Sequence, residues 1–311
     1  MTLQPRPTVV VGVDGSEHGD RAIQYAVTEA RRRAIGITLV HAVHETAPMA
    51  AMLPLHSVES LAEIGRRLVE DGERRVSGLD PHLRVGSSVR PGSNVGVLVA
   101  AGERAAVSVL GHRRRSIAGR VLTSSTTTGV AARAHCPTVS VPDTWTPGTV
   151  HGRVVVGVDD SEASHDALDA AFAEARRRGA SLTVLHAWRL PMAYDDINAS
   201  RAWLEEWSDT ADEHIAKILA PWREVYPDVP VEVSLRHDWP GPALVAATES
   251  ADLIVVGRRG HGAPLGIYLG SIARMLVREA RCPVMVTPHH GRHGTAPEDR
   301  LIAGDDVSPQ D

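Results

Sequence analysis

An internal duplication constrains the fold of this chain more than any other feature of its sequence. "VVVGVDGSE" at Val9–Glu17 recurs 145 residues later as "VVVGVDDSE" at Val154–Glu162. "HCPTVSVP" at His135–Pro142 matches "RCPVMVTP" at Arg281–Pro288 with an offset of 146. A repeat this long is not the short period of a solenoid. The 311 residues therefore predict two tandem domains, each large enough to have its own core.

The positions of the repeated motifs predict the domain boundaries. The first domain is expected over residues 8–142 and the second over residues 153–288, joined by a Pro-, Gly- and Thr-rich linker at 143–152. Residues 289–311 show no sustained hydrophobic periodicity. They are predicted to form a disordered tail.

Within each half, short apolar runs alternate with segments of helical periodicity. In the second half the apolar runs are "RVVVGV", "SLTVLHA", "VEVSL", "DLIVVG" and "PVMVT". Near-continuous apolar strands that alternate with helices are typical of a parallel sheet covered on both faces. The predicted fold class is α/β, with two tandem, open, doubly wound, five-stranded parallel-sheet domains of Rossmann-like type. Such sheets bind ligands beyond the carboxyl ends of their strands.

Composition excludes several classes of function. The net charge of −5 gives no electrostatic basis for binding nucleic acid. No apolar run is long enough to cross a bilayer, and "MTLQPRPTVV" lacks the apolar region of a signal peptide. The chain is therefore expected in the cytoplasm, without nucleic-acid or membrane partners. Two cysteines are too few for a disulfide framework.

The glycine-rich segment that follows the fourth apolar run of the second half indicates a ligand site. No G-x-x-x-x-G-K-[ST] motif occurs, and no dinucleotide G-x-G-x-x-G motif follows the first strand. The spacing G-x2-G-x9-G-S remains, at Gly257, Gly260, Gly270 and Ser271. A helix that starts at Ser271 would present N–H groups and its positive dipole end to phosphate oxygens. The first two glycines would permit positive φ or a close approach of backbone to ligand.

Both halves resemble the universal stress protein family, and the whole chain resembles its tandem type common in actinobacteria. The second half carries the motifs "VGVDDS", "LHA", "DLIVVG", the glycine spacing and "CPV". The resemblance implies ATP as cofactor, with Mg²⁺ carried in by the nucleotide. It implies an ATP-binding set at Asp159, Ala187, Gly257, Arg259, Gly260, Gly270, Ser271, Ile272 and Ala273.

The first half departs from this pattern. Two of its three expected glycines are replaced, by Arg114 and Ser124, so its nucleotide loop is predicted to be degenerate. A weaker set of contacts maps to Asp14, Ala42, Gly111, Ser124 and Ser125. The alternative left open is a guanidinium clamp for phosphate built from Arg113–Arg115 and Arg120.

Other reactive side chains have structural explanations. No motif places a nucleophile beside His41 or His186, so both are interpreted as hydrogen-bonded structural residues. Cys136 and Cys282 precede prolines at strand entries, which suits buried small hydrophobic residues. The histidines after Pro288 lack metal-ligand spacing, and no metal site is predicted.

Two further groups are assigned to surface and packing. The arginine runs 31–33 and 176–178 end the first helix of each half, where cations complement the helix dipole as a solvated helix end. Trp203, Trp207 and Trp222 fall on one long helix. They are expected to pack, with the other domain as one candidate surface.

The functional hypothesis is an ATP-binding regulator of a stress or dormancy response without fast turnover, because no general base, nucleophile or carboxylate pair is evident. The alternatives are a slow ATPase or nucleotide-transferring enzyme, and an interaction module with structural nucleotide. The resemblance implies pairing of the two domains through their last strands, Thr138–Val141 and Val284–Thr287, as an intrachain pseudo-dimer. A homodimer of whole chains and an unknown protein partner are left open.

Overall fold

The architecture follows from a computed structural model that describes residues 7–43, 58–112, 125–159, 161–189, 201–260 and 269–289. Each half contributes five strands and four α-helices within these ranges. The first half contains β1 Val9–Gly12, α1 Glu17–Arg33, β2 Ile37–Val43, α2 Val58–Leu79, β3 Val85–Pro91, α3 Asn94–Ala101, β4 Val107–His112, α4 Ser125–Arg133 and β5 Thr138–Pro142. The second half contains β6 Arg153–Gly157, α5 Glu162–Arg178, β7 Ser181–Trp188, α6 Arg201–Val225, β8 Val231–His237, α7 Pro240–Ala247, β9 Leu253–Gly257, α8 Ser271–Glu279 and β10 Val284–Thr287. The predicted α/β fold is confirmed.

All ten strands join one continuous sheet in the order β3-β2-β1-β4-β5-β10-β9-β6-β7-β8. Pairing is parallel within each half, and the halves meet at an antiparallel pair of β5 and β10, with Val139 opposite Met285. The expected intrachain pairing through the last strands is thus present. Because this pair is antiparallel, the carboxyl ends of the two halves lie at opposite edges of the sheet.

Apolar side chains account for the layers on both faces of the sheet. The central strands β1 and β4 are buried because valine side chains point to both faces, as in Val9–Val11. The helix α1 begins at Ser16, whose hydroxyl accepts a hydrogen bond from the Gly19 N–H at 3.1 Å. The helix α5 ends at Gly179, whose φ of 60° supplies the left-handed residue that closes many helices.

A buried charge cluster joins α1 to α5, and the interpretation of both arginine runs as solvated helix ends is wrong for Arg33 and Arg178. Arg178 lies 2.6 Å from Glu29 and 3.1 Å from Glu174. Arg33 lies 3.4 Å from Glu29 and also pairs with Glu174. Tyr25 accepts a further hydrogen bond from Arg178 at 3.0 Å. The two helices pack against each other, so their last turns are enclosed by the other half rather than by water.

Charge balance inside this cluster sets its titration. Burial alone would raise the pKa of Glu174, but the guanidinium groups of Arg33, Arg178 and Arg177 outweigh burial and hold that pKa below its ordinary value. Burial raises the pKa of the Tyr25 hydroxyl, which stays neutral. The cluster therefore pairs Glu29 and Glu174 with the enclosed guanidinium groups of Arg33 and Arg178.

The long helix α6 packs within its own half. Trp222 is buried, and its indole N–H donates to Asp169 at 2.6 Å while its ring stacks on Phe172 at 6.5 Å between centroids. These partners lie on α5, so Trp222 packs against the second half. The side chains of Trp203 and Trp207 lie outside the described residues.

The predicted linker is anchored to both halves. Trp145 packs edge-on against Tyr25 of α1, with ring centroids 5.3 Å apart. The N–H groups of His151 and Gly152 donate to the Asp252 carboxylate at 2.7 and 2.8 Å. The predicted tail lies outside the described residues except for His289, whose ring nitrogen is 3.0 Å from Asp166. In the described part of the chain, no helix has the length and apolar character needed to span a membrane.

Candidate functional site

A cavity of about 630 Å³ lies at the carboxyl edge of the second half. Several separate segments converge on it, including the ends of β6, β7 and β9 and the start of α8. It is lined by all nine residues of the stronger predicted set, Asp159, Ala187, Gly257, Arg259, Gly260, Gly270, Ser271, Ile272 and Ala273. The sequence-predicted residues are therefore brought together in one place.

The start of α8 forms the end of the cavity whose backbone groups suit an anion. The N–H of Gly270 donates to the Arg258 carbonyl at 3.0 Å, and the Arg274 N–H donates to the Gly270 carbonyl at 2.9 Å. Intrahelical hydrogen bonding thus begins at Arg274, so the N–H groups of Ser271, Ile272 and Ala273 have no acceptor inside the helix. These N–H groups and the helix dipole form a site suited to negatively charged oxygens.

Asp159 anchors the start of α5. Its Oδ1 accepts a hydrogen bond from the Ser161 N–H at 3.0 Å, another from the Ser161 hydroxyl, and one from the Ser164 hydroxyl at 2.8 Å. Asp159 thus ties the residues before α5 to Ser164 in its first turn. The same network fixes the orientation of the carboxylate at the wall of the cavity.

The three motif glycines are required by close packing rather than by positive φ. None of Gly257, Gly260 and Gly270 has a positive φ, so positive φ, one of the two reasons offered for the first two of them, does not apply. A Cβ on Gly257 would lie 2.9 Å from the Ala163 Cβ, and one on Gly260 would lie 2.6 Å from Oδ2 of Asp159. Gly257 and Gly260 therefore let the loop after β9 lie against the start of α5, whereas a Cβ on Gly270 would lie 3.3 Å from the Arg258 carbonyl oxygen.

Two neighbouring arginines follow β9 and face different ways. Arg259 lines the cavity. Arg258 donates from Nη1 to the carbonyls of Ala132 and Ala134 in the first half, at 3.0 and 3.4 Å. Burial and the neighbouring charge of Arg259 lower the pKa of Arg258. The loop that borders the candidate site is thus bound to the end of α4 in the other half.

A smaller cavity of about 460 Å³ occupies the matching place in the first half. Asp14, Ala42 and Gly111 of the weaker set line it. Ser124 and the proposed clamp of Arg113–Arg115 and Arg120 lie outside the described residues. Ser125 begins α4, and its side chain is not described.

The first-half cavity differs from the second in its chemistry. Its wall includes His18, Asn94 and Thr126, where the second half has Ala163, Pro240 and Ile272. A Cβ on Gly111 would lie 2.1 Å from the His18 carbonyl oxygen, so this glycine is explained by packing without any ligand. Polar side chains thus stand at three positions where the second half has apolar ones.

The histidines and cysteines singled out in the sequence contact backbone carbonyls or lie in the core. Nδ1 of His41 lies 2.7 Å from the Val13 carbonyl, and Nδ1 of His186 lies 3.1 Å from the Val158 carbonyl. Cys136 and Cys282 are buried as free thiols, and burial raises the pKa of Cys282 to about 12. Over the described ranges, no group of three or more His, Cys, Asp or Glu side chains is arranged to hold a metal ion.

Sequence reasoning missed several lining residues. Ser164, whose hydroxyl bonds to Asp159, stands where the first half has Gly19. The apolar wall adds Leu185, Pro240 and Leu244. Alignment of the two repeats could have singled out Ser164, because the second half has a serine hydroxyl where the first half has a glycine. The apolar residues carry no such signal, since they look like ordinary core positions.

Comparison with known proteins agrees with this architecture. The model of the universal stress protein family matches residues 5–142 and 151–288. A universal stress protein from Mycobacterium tuberculosis (strain ATCC 25618 / H37Rv) is 34% identical over 290 residues, which cover 89% of this chain and 96% of the relative. One from Mycolicibacterium smegmatis is 33% identical over 287 residues, with coverage of 89% and 96%. The crystal structure of a universal stress protein from Archaeoglobus fulgidus DSM 4304 superimposes with a TM-score of 0.69 at 18% identity, covering 91% of this chain and 98% of that one, and shares the fold.

Proposed function

The chain belongs to the universal stress protein family, and from that premise we propose that it binds ATP in the second-half cavity. We propose further that it acts as a nucleotide-dependent regulator of a stress or dormancy response, without fast turnover of the nucleotide. The observation that carries the proposal is the convergence of nine residues from separate segments on one cavity of about 630 Å³.

The two ends of the cavity differ in a way that suits a nucleoside triphosphate. The start of α8 offers backbone N–H groups at Ser271 and Ile272, and Arg259 adds a positive charge nearby. At the other end, Ala187 follows His186 at the end of β7, beside Leu244 of α7. Phosphates would lie against α8, and the base would lie against the apolar wall near Ala187.

The hydrogen bonds that Asp159 accepts favour a role in binding over a role in catalysis. Asp159 accepts hydrogen bonds from Ser161 and Ser164, which hold its carboxylate in a fixed orientation. A general base for hydrolysis must instead be free to take a proton from water. Mg²⁺ would be carried in by the phosphates of the nucleotide.

The proposal predicts how much nucleotide the purified protein retains. Protein purified without added nucleotide and then denatured is expected to release about one ATP per chain, because a tight site keeps its ligand through purification. Ion-exchange chromatography of the released nucleotide gives this ratio. The matched control is the same protein after exhaustive exchange into nucleotide-free buffer and re-titration with ATP.

Two other outcomes have defined meanings. Close to two ATP per chain would mean that the first-half cavity also binds nucleotide, which contradicts its predicted degeneracy. No retained ATP, and none bound on re-titration, would reject ATP binding and favour an interaction module whose glycine motif serves packing alone.

A further inference from the structure

An exposed aromatic side chain, Trp239, directly precedes Pro240, which lines the second-half cavity. Ala187 and Pro240 line the cavity from the end of β7 and the start of α7. Immediately beside them, the Arg189 guanidinium lies over the Trp239 ring, 5.3 Å from its centroid. The pair therefore bridges the two elements that border the apolar end of the cavity.

Neighbouring contacts hold this rim in place. Trp188 and His237 are paired across β7 and β8, and their rings lie 4.6 Å apart. Arg189 directly follows Trp188, and Trp239 lies two residues after His237. This pairing fixes the ends of the two strands from which Arg189 and Trp239 follow.

Trp239 breaks two ordinary rules at its position. It occupies the N-cap of α7, where its side chain makes no capping hydrogen bond. The equivalent residue of the first half is Ser93, whose hydroxyl accepts from the Gly96 N–H at 3.1 Å. An indole at this site gives up the cap that serine provides. It is also 58% exposed, although burial is what large aromatic side chains normally gain.

A broken local rule beside a ligand cavity points to function. We infer that Trp239 is a binding residue for the base of the nucleotide, which stacks its indole on the base bound near Ala187. Arg189 is a positioning residue, which fixes the ring by its cation–π contact. Aromatic side chains stack on bases through the π-face that every base presents. This inference rests on the proposed function, because it requires a nucleotide in the cavity.

The test compares ligands with and without a base. ATP and inorganic tripolyphosphate are titrated calorimetrically into the full-length chain and into the Trp239→Ser variant, which restores the capping residue of the first half. We expect ATP affinity to fall about tenfold in the variant, with tripolyphosphate affinity unchanged. Trp239→Phe should recover most of the loss. ATP should also quench a component of tryptophan fluorescence that is missing in Trp239→Phe.

A matched control removes an exposed apolar side chain elsewhere. Leu79→Ser, at the end of α2 in the first half, should leave both affinities unchanged. Unchanged ATP affinity in Trp239→Ser, with ATP bound normally by the unaltered chain, would overturn this inference and leave the proposed function intact. Equal losses for ATP and tripolyphosphate would also overturn it, because stacking acts on the base alone. Failure of the unaltered chain to bind ATP would reject both.

Discussion

Replacement of Glu174 by glutamine is expected to lower the free energy of unfolding by about 3–5 kcal/mol, the usual effect of removing one partner from a buried ion pair. Glu174 is enclosed between Arg33 and Arg178, and Arg178 is itself only 4% exposed. The variant leaves two guanidinium groups to share Glu29. Urea denaturation followed by far-UV circular dichroism measures the change.

The matched control is an ion pair in water. Glu63→Gln removes a carboxylate that pairs with Arg66 on the exposed surface of α2, and a change within about 0.5 kcal/mol is expected. If Glu174→Gln were as mild as Glu63→Gln, the charge cluster would not be a source of stability between the halves.

The same cluster predicts a pH dependence. The pKa of Glu174 in the folded protein is held below its ordinary value, so its contribution is complete above the unfolded pKa of about 4.3. That contribution is lost as the pH falls through the folded pKa, because the folded state must then take up a proton. The difference in unfolding free energy between wild type and Glu174→Gln should therefore narrow below about pH 4. A difference that stays constant from pH 7 to pH 3 would contradict this account.

Gly260→Arg is expected to reduce ATP affinity at least about 100-fold, which corresponds to roughly 2.7 kcal/mol. A Cβ at this position would lie 2.6 Å from Oδ2 of Asp159, so either the carboxylate or the loop after β9 must shift. The long side chain would also enter the cavity that the proposed ligand occupies. Isothermal titration with ATP measures the loss, and the first half already carries Arg114 at the equivalent position.

A pair of equivalent aspartates tests whether the two halves differ. Asp159→Ala should abolish most ATP binding, whereas Asp14→Ala should change it little. Both residues anchor the first helix of their half through a serine, at Ser161 and Ser16, so loss of the anchor is common to both variants. Equal losses of ATP affinity would therefore reject the predicted asymmetry between the cavities.

Much of the fold could be read from the sequence, because the determining pattern is local. Apolar runs such as "DLIVVG" and the periodicity of the helices specify strands and helices without knowledge of distant partners. The antiparallel pair of β5 and β10 is different. It joins Val139 to Met285, 146 residues apart, and was expected only from the family resemblance.

In the candidate site, too, the sequence identifies residues by local spacing but does not show their contacts in space. Motif spacing identified Gly257, Gly260 and Gly270, but the reason for each glycine depends on which atoms face it in space. The Asp159 carboxylate beside Gly260 could not be inferred from their separation in sequence. Likewise "EARRR" shows a glutamate four residues before an arginine in each half. Nothing in either copy reveals that Arg33 pairs with Glu174 and Arg178 with Glu29.

Because the two halves that pair through β5 and β10 belong to one chain, their sequences can diverge from each other. In an assembly of separate identical copies, any substitution enters both members at once, and association weakens on dilution. Within one chain the partner is always present at a fixed effective concentration, and it is always the other half rather than a duplicate. A substitution such as arginine at position 114 therefore changes one half and leaves the other half as it was. The first half can therefore change its cavity while it still provides the contacts on which the second half depends. These contacts are the strand β5, its residues of the charge cluster and the end of α4.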